Sequence, residues 1–291
     1  MAAHSKPPAP STRLRLDIAY DGTGFTGWAK QPGIRTVQGE LEQALATILR
    51  RHGQPPTLTV AGRTDAGVHA TGQVAHLDLT QPQLKLLAKP HGPGAAVEPT
   101  IALARRLNGI AGVSKDLYVA AVTVAPPGFD ARFSPIWRRY EYRIADAAAQ
   151  RNPLLRGHTV WYPATLDVDA MNASARELLG LHDWAAYCRP RAGATTIREL
   201  QQFEWERDTT GVLVARLQAD AFCHSMVRAL VGATVSVGER KLAGERLRGI
   251  RAEAQRTSEF KVMPANGLTL VEVGFPDDVA ARAAQSRARR A

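Results

Sequence analysis

The sequence is poor in cysteine and has no long hydrophobic run, and both absences narrow the range of protein classes. Its two cysteines, Cys188 and Cys223, are too few for a disulfide framework, and no CxxC pair is present to bind zinc. No run of 18 or more apolar residues could form a transmembrane helix. The opening residues, MAAHSKPPAPSTR, lack the apolar segment of a secretory signal. We therefore expect a cytoplasmic protein with both thiols reduced and no membrane association.

An excess of positive charge gives the first indication of a partner. The 291 residues include 37 Lys and Arg against 27 Asp and Glu, a formal net charge of +10. Residues 277–291 hold four arginines and two aspartates, so they account for +2 and leave +8 in the rest of the chain. Such an excess favours a polyanionic partner, of which nucleic acid is the most common. A basic protein without a polyanionic partner is the alternative.

Hydrophobic periodicity predicts the element order β-α-β-β-α-β twice. In the first half it predicts strands at 13–20, 58–61, 73–79 and 117–124, and helices at 37–52 and 100–109. In the second half it predicts strands at 136–145, 197–206, 212–220 and 268–275, and helices at 168–181 and 224–238, with an additional helix at 244–256. Thr36 is the predicted N-cap of the first helix.

Two such repeats predict an α+β fold of two tandem ferredoxin-like (βαββαβ) units with antiparallel sheets. We expect a flexible tail at 1–11, the first unit at 12–128, the second unit at 129–276 and a basic flexible tail at 277–291. Residues 88–99 hold three prolines and two glycines, which predicts a loop there.

A glycine run and the scattered histidines each suggest a cofactor site that the surrounding sequence does not favour. Residues 22–27 (GTGFTG) match the GxGxxG pattern of dinucleotide sites, but such a site needs a helix to open at once. The next predicted helix begins only at residue 37, which favours a tight loop. A nucleotide-dependent oxidoreductase stays open as an alternative, and a thermal-shift screen with NAD(P) would test it. The histidines show neither HxxxH nor HExxH spacing, so no metal site is predicted.

The segment 61–70 (AGRTDAGVHA) places Asp65 on a glycine-flanked loop between two strands, with Arg63 two residues away. On composition alone this is an Asp/Gly turn with an incidental arginine. The segment strongly resembles the catalytic loop of the tRNA pseudouridine synthase A family. Further segments resemble that family's motifs in the same order: YDGT at 20–23, TVQ at 36–38, RRY at 138–140, GLHDW at 180–184, HSMVR at 224–228 and PANGLTL at 264–270. The resemblance extends over residues 13–275.

The resemblance implies an isomerase that converts uridine to pseudouridine at positions 38–40 of the tRNA anticodon stem-loop. That reaction is redox-neutral and adds no group, so no nicotinamide, flavin or metal cofactor is expected. Asp65 is implied as the catalytic carboxylate, and its role as nucleophile or as base stays open. The expected partners are tRNA and a second copy of the chain in a homodimer. A catalytically silent RNA-binding protein of the same fold is the alternative.

The resemblance also assigns roles to four substrate-binding residues. Arg228 matches the arginine that pairs with the aspartate, and Tyr140 matches the tyrosine that stacks against the target base. Leu268 matches a leucine of the pocket, and Arg63 matches the arginine that holds the space or the nucleotide after base flipping. By pattern alone, Tyr140 and Leu268 would be core residues. We expect Asp65 to face Tyr140, Arg228 and Leu268 in a cleft between the two units.

Overall fold

The computed structural model describes residues 11–89, 97–189 and 195–288. Within these ranges the chain forms ten strands and seven α-helices. The strands are β1 Ser11–Tyr20, β2 Thr59–Val60, β3 His69–Thr80, β4 Leu117–Val124, β5 Trp137–Ala145, β6 Val160–Trp161, β7 Gly180–Asp183, β8 Ile197–Arg207, β9 Leu213–Ala219 and β10 Leu268–Gly274. The helices are α1 Val37–Leu49, α2 Gln81–Ala88, α3 Pro99–Ile110, α4 Val168–Arg176, α5 Met226–Gly238, α6 Arg246–Glu253 and α7 Val279–Ala288. The α+β class predicted from the sequence is confirmed.

The strands form a single sheet in the order β4-β1-β3-β10-β5-β9-β8-β7, with β2 beside β3 and β6 beside β5. In the first half β1 pairs antiparallel with β3 and with β4, and β2 pairs antiparallel with β3. The second half repeats this arrangement, because β5 pairs antiparallel with β9 and with β10, and β8 pairs antiparallel with β9. The two halves therefore have equivalent strand orders.

A short parallel pairing between β3 and β10 joins the two halves. Thr269 lies opposite His69, and Leu270 lies opposite Ala70. Gly72 allows the two strands to approach, because a Cβ there would overlap the carbonyl oxygen of Val271. The sheet consequently runs without a break from one half into the other.

The first strand and the first helix show why the chain folds this way. Along β1 every second residue from Leu14 to Tyr20 is buried, so one face of the strand packs into the core. Helix α1 buries Val37, Leu41, Leu45 and Leu49 at helical spacing. The predicted N-cap is confirmed, because the hydroxyl of Thr36 accepts a hydrogen bond from the amide of Gly39 at 3.2 Å.

Two predicted helices differ from the structure at one end each. The helix predicted at 168–181 ends at Arg176, and Gly180, with φ of 109°, begins strand β7. The helix predicted at 224–238 begins at Met226, because Ser225 has a left-handed backbone with φ of 65°. His224 therefore lies before the helix. The loop predicted at 88–99 lies largely outside the described residues, which lack 90–96.

The predicted flexible tail at 277–291 is wrong over residues 279–288, which form α7. Alanine is the strongest helix former, and this segment is rich in it. Val279 and Ala283 are buried, and the hydroxyl of Ser134 donates a hydrogen bond to the carbonyl of Val279 at 2.8 Å. The helix therefore docks on the body of the protein. Residues 1–10 of the predicted N-terminal tail and residues 289–291 lie outside the described part of the chain.

The prediction of two reduced thiols is also wrong for this structure. Cys188 and Cys223 form a disulfide, with their Cα atoms 5.8 Å apart. The two residues are 35 positions apart in sequence, and only the tertiary packing of the turn before Cys188 against the segment before α5 brings them together. In the residues that the structure describes, no helix is long and apolar enough to span a membrane.

Candidate active site

The loop that carries Asp65 is held in place by the glycine-rich segment after β1. The amide of Trp28 donates to the carbonyl of Thr64 at 3.0 Å, and the amide of Gly67 donates to that of Phe25 at 3.2 Å. Gly27 has φ of 80°, and a Cβ on it would lie only 2.8 Å from the carbonyl oxygen of Thr64. The run at 22–27 therefore supports this loop by close backbone contact, and the next helix opens only at residue 37.

Buried hydrogen bonds anchor the residue before Asp65. The hydroxyl groups of Tyr20 and Thr64 lie 2.8 Å apart. The side-chain nitrogen Nε2 of Gln73 donates to the Tyr20 hydroxyl at 3.2 Å and to the carbonyl of Gly62 at 2.9 Å. Burial raises the pKa of Tyr20 to about 12, so its hydroxyl keeps its proton at neutral pH. This network fixes the backbone on which Asp65 stands.

The side chain of Asp65 meets Arg228 from the second half of the chain. Nη2 of Arg228 lies 3.3 Å from Oδ2 of Asp65. The guanidinium also donates to the carbonyl of Met263 and to the hydroxyl of Ser225, each at 3.3 Å. Its side chain is 19% exposed, whereas that of Asp65 is 35% exposed. The ion pair therefore has a buried side, formed by the arginine, and an open side at the carboxylate.

Tyr140 is buried on β5 beside this ion pair. Its ring meets the ring of Phe222 edge to face, with centroids 5.2 Å apart. Burial raises the pKa of the Tyr140 hydroxyl well above its usual value, and the nearby negative charge of Asp65 adds to that rise. The hydroxyl is therefore neutral at physiological pH, and the edge-to-face contact restricts the ring.

Leu268 lies at the start of β10, opposite Tyr142 of β5, and is 5% exposed. The hydroxyl of Tyr142 donates to the carbonyl of Pro264 at 2.8 Å, which fastens the segment that leads into β10. Arg63 is exposed, and within the described part of the chain its side chain has no hydrogen bond or ion pair. Its guanidinium is consequently available to a ligand. The structure thus brings Asp65 and Arg228 into contact, places Tyr140 close enough to feel the charge of Asp65, and places Arg63 on the same loop as Asp65.

Sequence reasoning missed the residues that tie the two halves together at this site. Arg138 donates to the carbonyl of Ala61 at 2.9 Å and to that of Asp220 at 2.7 Å. It stands in the RRY segment, yet its bridging role depends on two carbonyls that have no sequence signature. His224 was also missed: it opens the HSMVR segment, but only Arg228 of that segment was given a role, and the histidines were considered only for metal-site spacing. In the described ranges no group of three or more His, Cys, Asp or Glu side chains could hold a metal ion.

Comparison with known proteins gives full-length relatives. A family model for tRNA pseudouridine synthase matches residues 174–276. The tRNA pseudouridine synthase A of Leifsonia xyli subsp. xyli is 62% identical over 96% of this chain and 98% of its own length. The enzyme of the same name from Streptomyces avermitilis is 50% identical over 96% of this chain and 94% of its own. The likeness therefore includes both the Asp65 loop and the Arg228 segment.

Proposed function

The chain belongs to the tRNA pseudouridine synthase A family, whose members are isomerases, and from this premise we propose that it isomerises uridines 38–40 of the anticodon stem-loop with Asp65 at the reacting carbon. The observation that carries the proposal is the contact of Asp65 with Arg228, 3.3 Å apart and 163 residues apart in sequence. The Asp65 carboxylate is accessible to solvent on one side and paired with the Arg228 guanidinium on the other. Such an arrangement suits a group that must contact a substrate.

The reaction breaks the bond between C1′ and N1 of uridine, turns the base and joins C5 to C1′. The proton on C5 leaves, and N1 takes up a proton, so the product is an isomer of uridine. A carboxylate at C1′ either attacks that carbon or takes a proton from the sugar, and Asp65 has the position for either role. The positive charge of Arg228 stabilises the negative charge that both roles require. Arg228 is itself fixed by Met263 and Ser225, so the pair is organised before substrate arrives.

Tyr140 provides the surface on which we place the target base. An aromatic ring stacks on any base, and such a contact contributes about 1–3 kcal/mol. The edge-to-face contact with Phe222 favours a ring that stays in one orientation. Leu268 would close the apolar side of the same pocket. We regard the two strand sets as two ferredoxin-like units, with the substrate entering between them.

Arg63 is assigned to the RNA because its exposed guanidinium lacks an intramolecular partner among the described residues. A stacked uridine must leave the stem-loop to reach Asp65, at a cost of a few kcal/mol. A planar guanidinium can contact a phosphate or fill the vacated position in the stack. Recognition would rest on RNA shape and phosphate contacts, since the base edges of an A-form duplex are poorly accessible. We further propose a cytoplasmic homodimer with tRNA across both subunits, which light scattering would test as twice the chain mass of 31.5 kDa.

The decisive experiment follows tritium release from tRNA labelled at C5 of uridine, together with pseudouridine mapping of the product. We expect wild-type protein to release tritium at positions 38–40. Asp65→Asn should lose at least about a hundredfold in rate, because a neutral amide can neither attack C1′ nor accept the proton. The variant should still bind tRNA, since the side chain is nearly isosteric. Activity of Asp65→Asn near the wild-type rate would remove the assignment, and modification at other positions would correct the substrate.

A further inference from the structure

His224 is a second side chain in contact with the Asp65 carboxylate. Its Nε2 atom lies 3.5 Å from Oδ1 of Asp65, whereas Arg228 contacts the other oxygen, Oδ2. The imidazole is 40% exposed, so it stands on the open side of the carboxylate. The two oxygens of Asp65 therefore have different partners, one mostly buried and one accessible.

The backbone around His224 is fixed from three directions. The following residue, Ser225, has a left-handed backbone with φ of 65°. The carbonyl of His224 accepts a hydrogen bond from the amide of Arg189 at 2.9 Å. The preceding residue, Cys223, is joined to Cys188 by the disulfide. The ring is thus presented to Asp65 from a constrained segment, although the side chain itself is partly exposed.

We propose that His224 is a positioning residue, which fixes the rotation of the Asp65 carboxylate through Nε2. The inference rests on the proposed function, because it assigns a task to His224 only if Asp65 acts on the substrate. A carboxylate held at one oxygen can still turn about its Cβ–Cγ bond, and a second contact at the other oxygen removes that freedom. Hydrogen bonds of catalytic groups are often long in the free enzyme and shorten once substrate is bound.

The contact through Nε2 gives a sharp test with two conservative variants. The side-chain amide of glutamine reaches about as far as Nε2 of histidine, whereas that of asparagine reaches only as far as Nδ1. Glutamine can therefore donate to Oδ1 of Asp65, and asparagine cannot. Because the ring is partly exposed, neither change is expected to unfold the protein, and thermal unfolding followed by circular dichroism checks this.

The experiment measures single-turnover tritium release at saturating enzyme, and tRNA affinity separately, for His224→Ala, His224→Gln and His224→Asn. We expect the alanine and asparagine variants to be slower by about tenfold, since small misplacements of a reacting group have large effects on rate. The glutamine variant should stay within about twofold of wild type, and tRNA affinity should be unchanged in all three. His182→Ala, on edge strand β7, is the matched control and should keep the wild-type rate.

Each other outcome overturns the inference. A wild-type rate for His224→Ala would show that the second contact is not needed. Weaker tRNA affinity with an intact rate would make His224 an RNA contact. A glutamine variant as slow as alanine would exclude the Nε2 contact as the cause. The Asp65→Asn variant separates a failure of this inference from a failure of the proposed function. If Asp65→Asn is inactive and His224→Ala is not impaired, only the role of His224 fails. An active Asp65→Asn removes the proposed function itself.

Discussion

Asp146, in the turn after β5, is a fully buried carboxylate. An arginine and two backbone amides compensate its charge. Nη2 of Arg207 lies 2.7 Å from it, and the backbone amides of Leu166 and Ala148 donate to it at 3.0 and 3.2 Å. Burial on its own would raise the pKa of Asp146, but the hydrogen bonds from Arg207 and the two amides outweigh burial and lower the pKa. The ion pair therefore stabilises the folded state whenever the carboxylate is ionised.

We expect Asp146→Asn to lower the free energy of unfolding by about 2–3 kcal/mol at pH 7. The value is below the roughly 3–5 kcal/mol for a fully buried pair because Arg207 is 30% exposed. A carboxyl with a lowered pKa in the folded state stabilises above its unfolded pKa of about 3.9, and this contribution is lost as the pH falls through the folded value. Urea unfolding at pH 7 and at pH 3 should therefore show a smaller difference between wild type and variant at pH 3. Equal differences at both pH values would contradict the role of the charge.

At the scale of single residues, the sequence predicted the participants of the site better than their contacts. The pairing of Asp65 with Arg228 was implied by the resemblance to the family, and residue types and spacing alone did not indicate it. The contact of His224 with Asp65 depends on the left-handed backbone at Ser225, and no residue type there requires that conformation. Serine is an unusual residue in this region of φ, so nothing local indicated it.

At the scale of elements, α7 is expected to stabilise the fold that it covers. Deleting residues 279–291 removes the buried side chains of Val279 and Ala283, the acceptor of Ser134, and the ion pair of Arg287 with Asp130 at 2.6 Å. We expect a loss of about 2–4 kcal/mol, measured by urea unfolding. Deleting only residues 289–291 removes two arginines but no part of α7, and this control should unfold like the full chain.

The disulfide between the turn before Cys188 and the segment before α5 is testable on its own. For a closed loop of 35 residues, chain entropy predicts a stabilisation of up to about 4 kcal/mol. We expect Cys188→Ser with Cys223→Ser to unfold at lower urea than wild type, and the difference should vanish when both proteins are reduced. Thiol labelling of the unfolded, unreduced wild-type protein should find no free thiol. Two labelled thiols would restore the prediction made from the sequence.

Element prediction was accurate for strand β4 and failed for strands β6 and β7. Strand β4 was predicted to the residue, since Leu117–Val124 is a clear β pattern. The first two residues of β7 were assigned to the helix predicted at 168–181, because Leu178 and Leu179 continue the helical spacing of α4. Strand β6 has two residues, which is too few to give a periodic signal.

At the scale of the whole molecule, the positive charge should make binding of tRNA depend on salt. The chain carries +8 outside residues 277–291, and each phosphate contact releases counterions on binding. We expect tRNA affinity to fall by at least about tenfold between 50 and 200 mM salt, measured by filter binding. Asp65→Asn should show the same salt dependence, because it changes no cation. An affinity that does not respond to salt would exclude phosphate contacts as the main source of binding.

The continuity of the sheet could not be predicted, although the repeated strand order could. Each repeat of the strand order is visible in local hydrophobic periodicity. The pairing of β3 with β10, in contrast, consists of two residue pairs whose members are about 200 positions apart in sequence. Such a pairing depends on Gly72 and on the overall placement of the halves. No local hydrophobic pattern predicts the close approach at Gly72 or the relative placement of the two halves.

The pairing of β3 with β10 also determines whether the protein or the RNA must change conformation when the RNA binds. Two halves on a flexible tether could fold around a stem-loop and adapt to it. Here backbone hydrogen bonds and the bridge of Arg138 hold both halves in one frame, so the walls of the site have little freedom to adjust. The distortion then falls on the nucleic acid, whose uridine must unstack to enter. Loops that are already loosely stacked would make the better substrates, and selectivity among uridines would follow RNA deformability rather than the identity of the neighbouring bases.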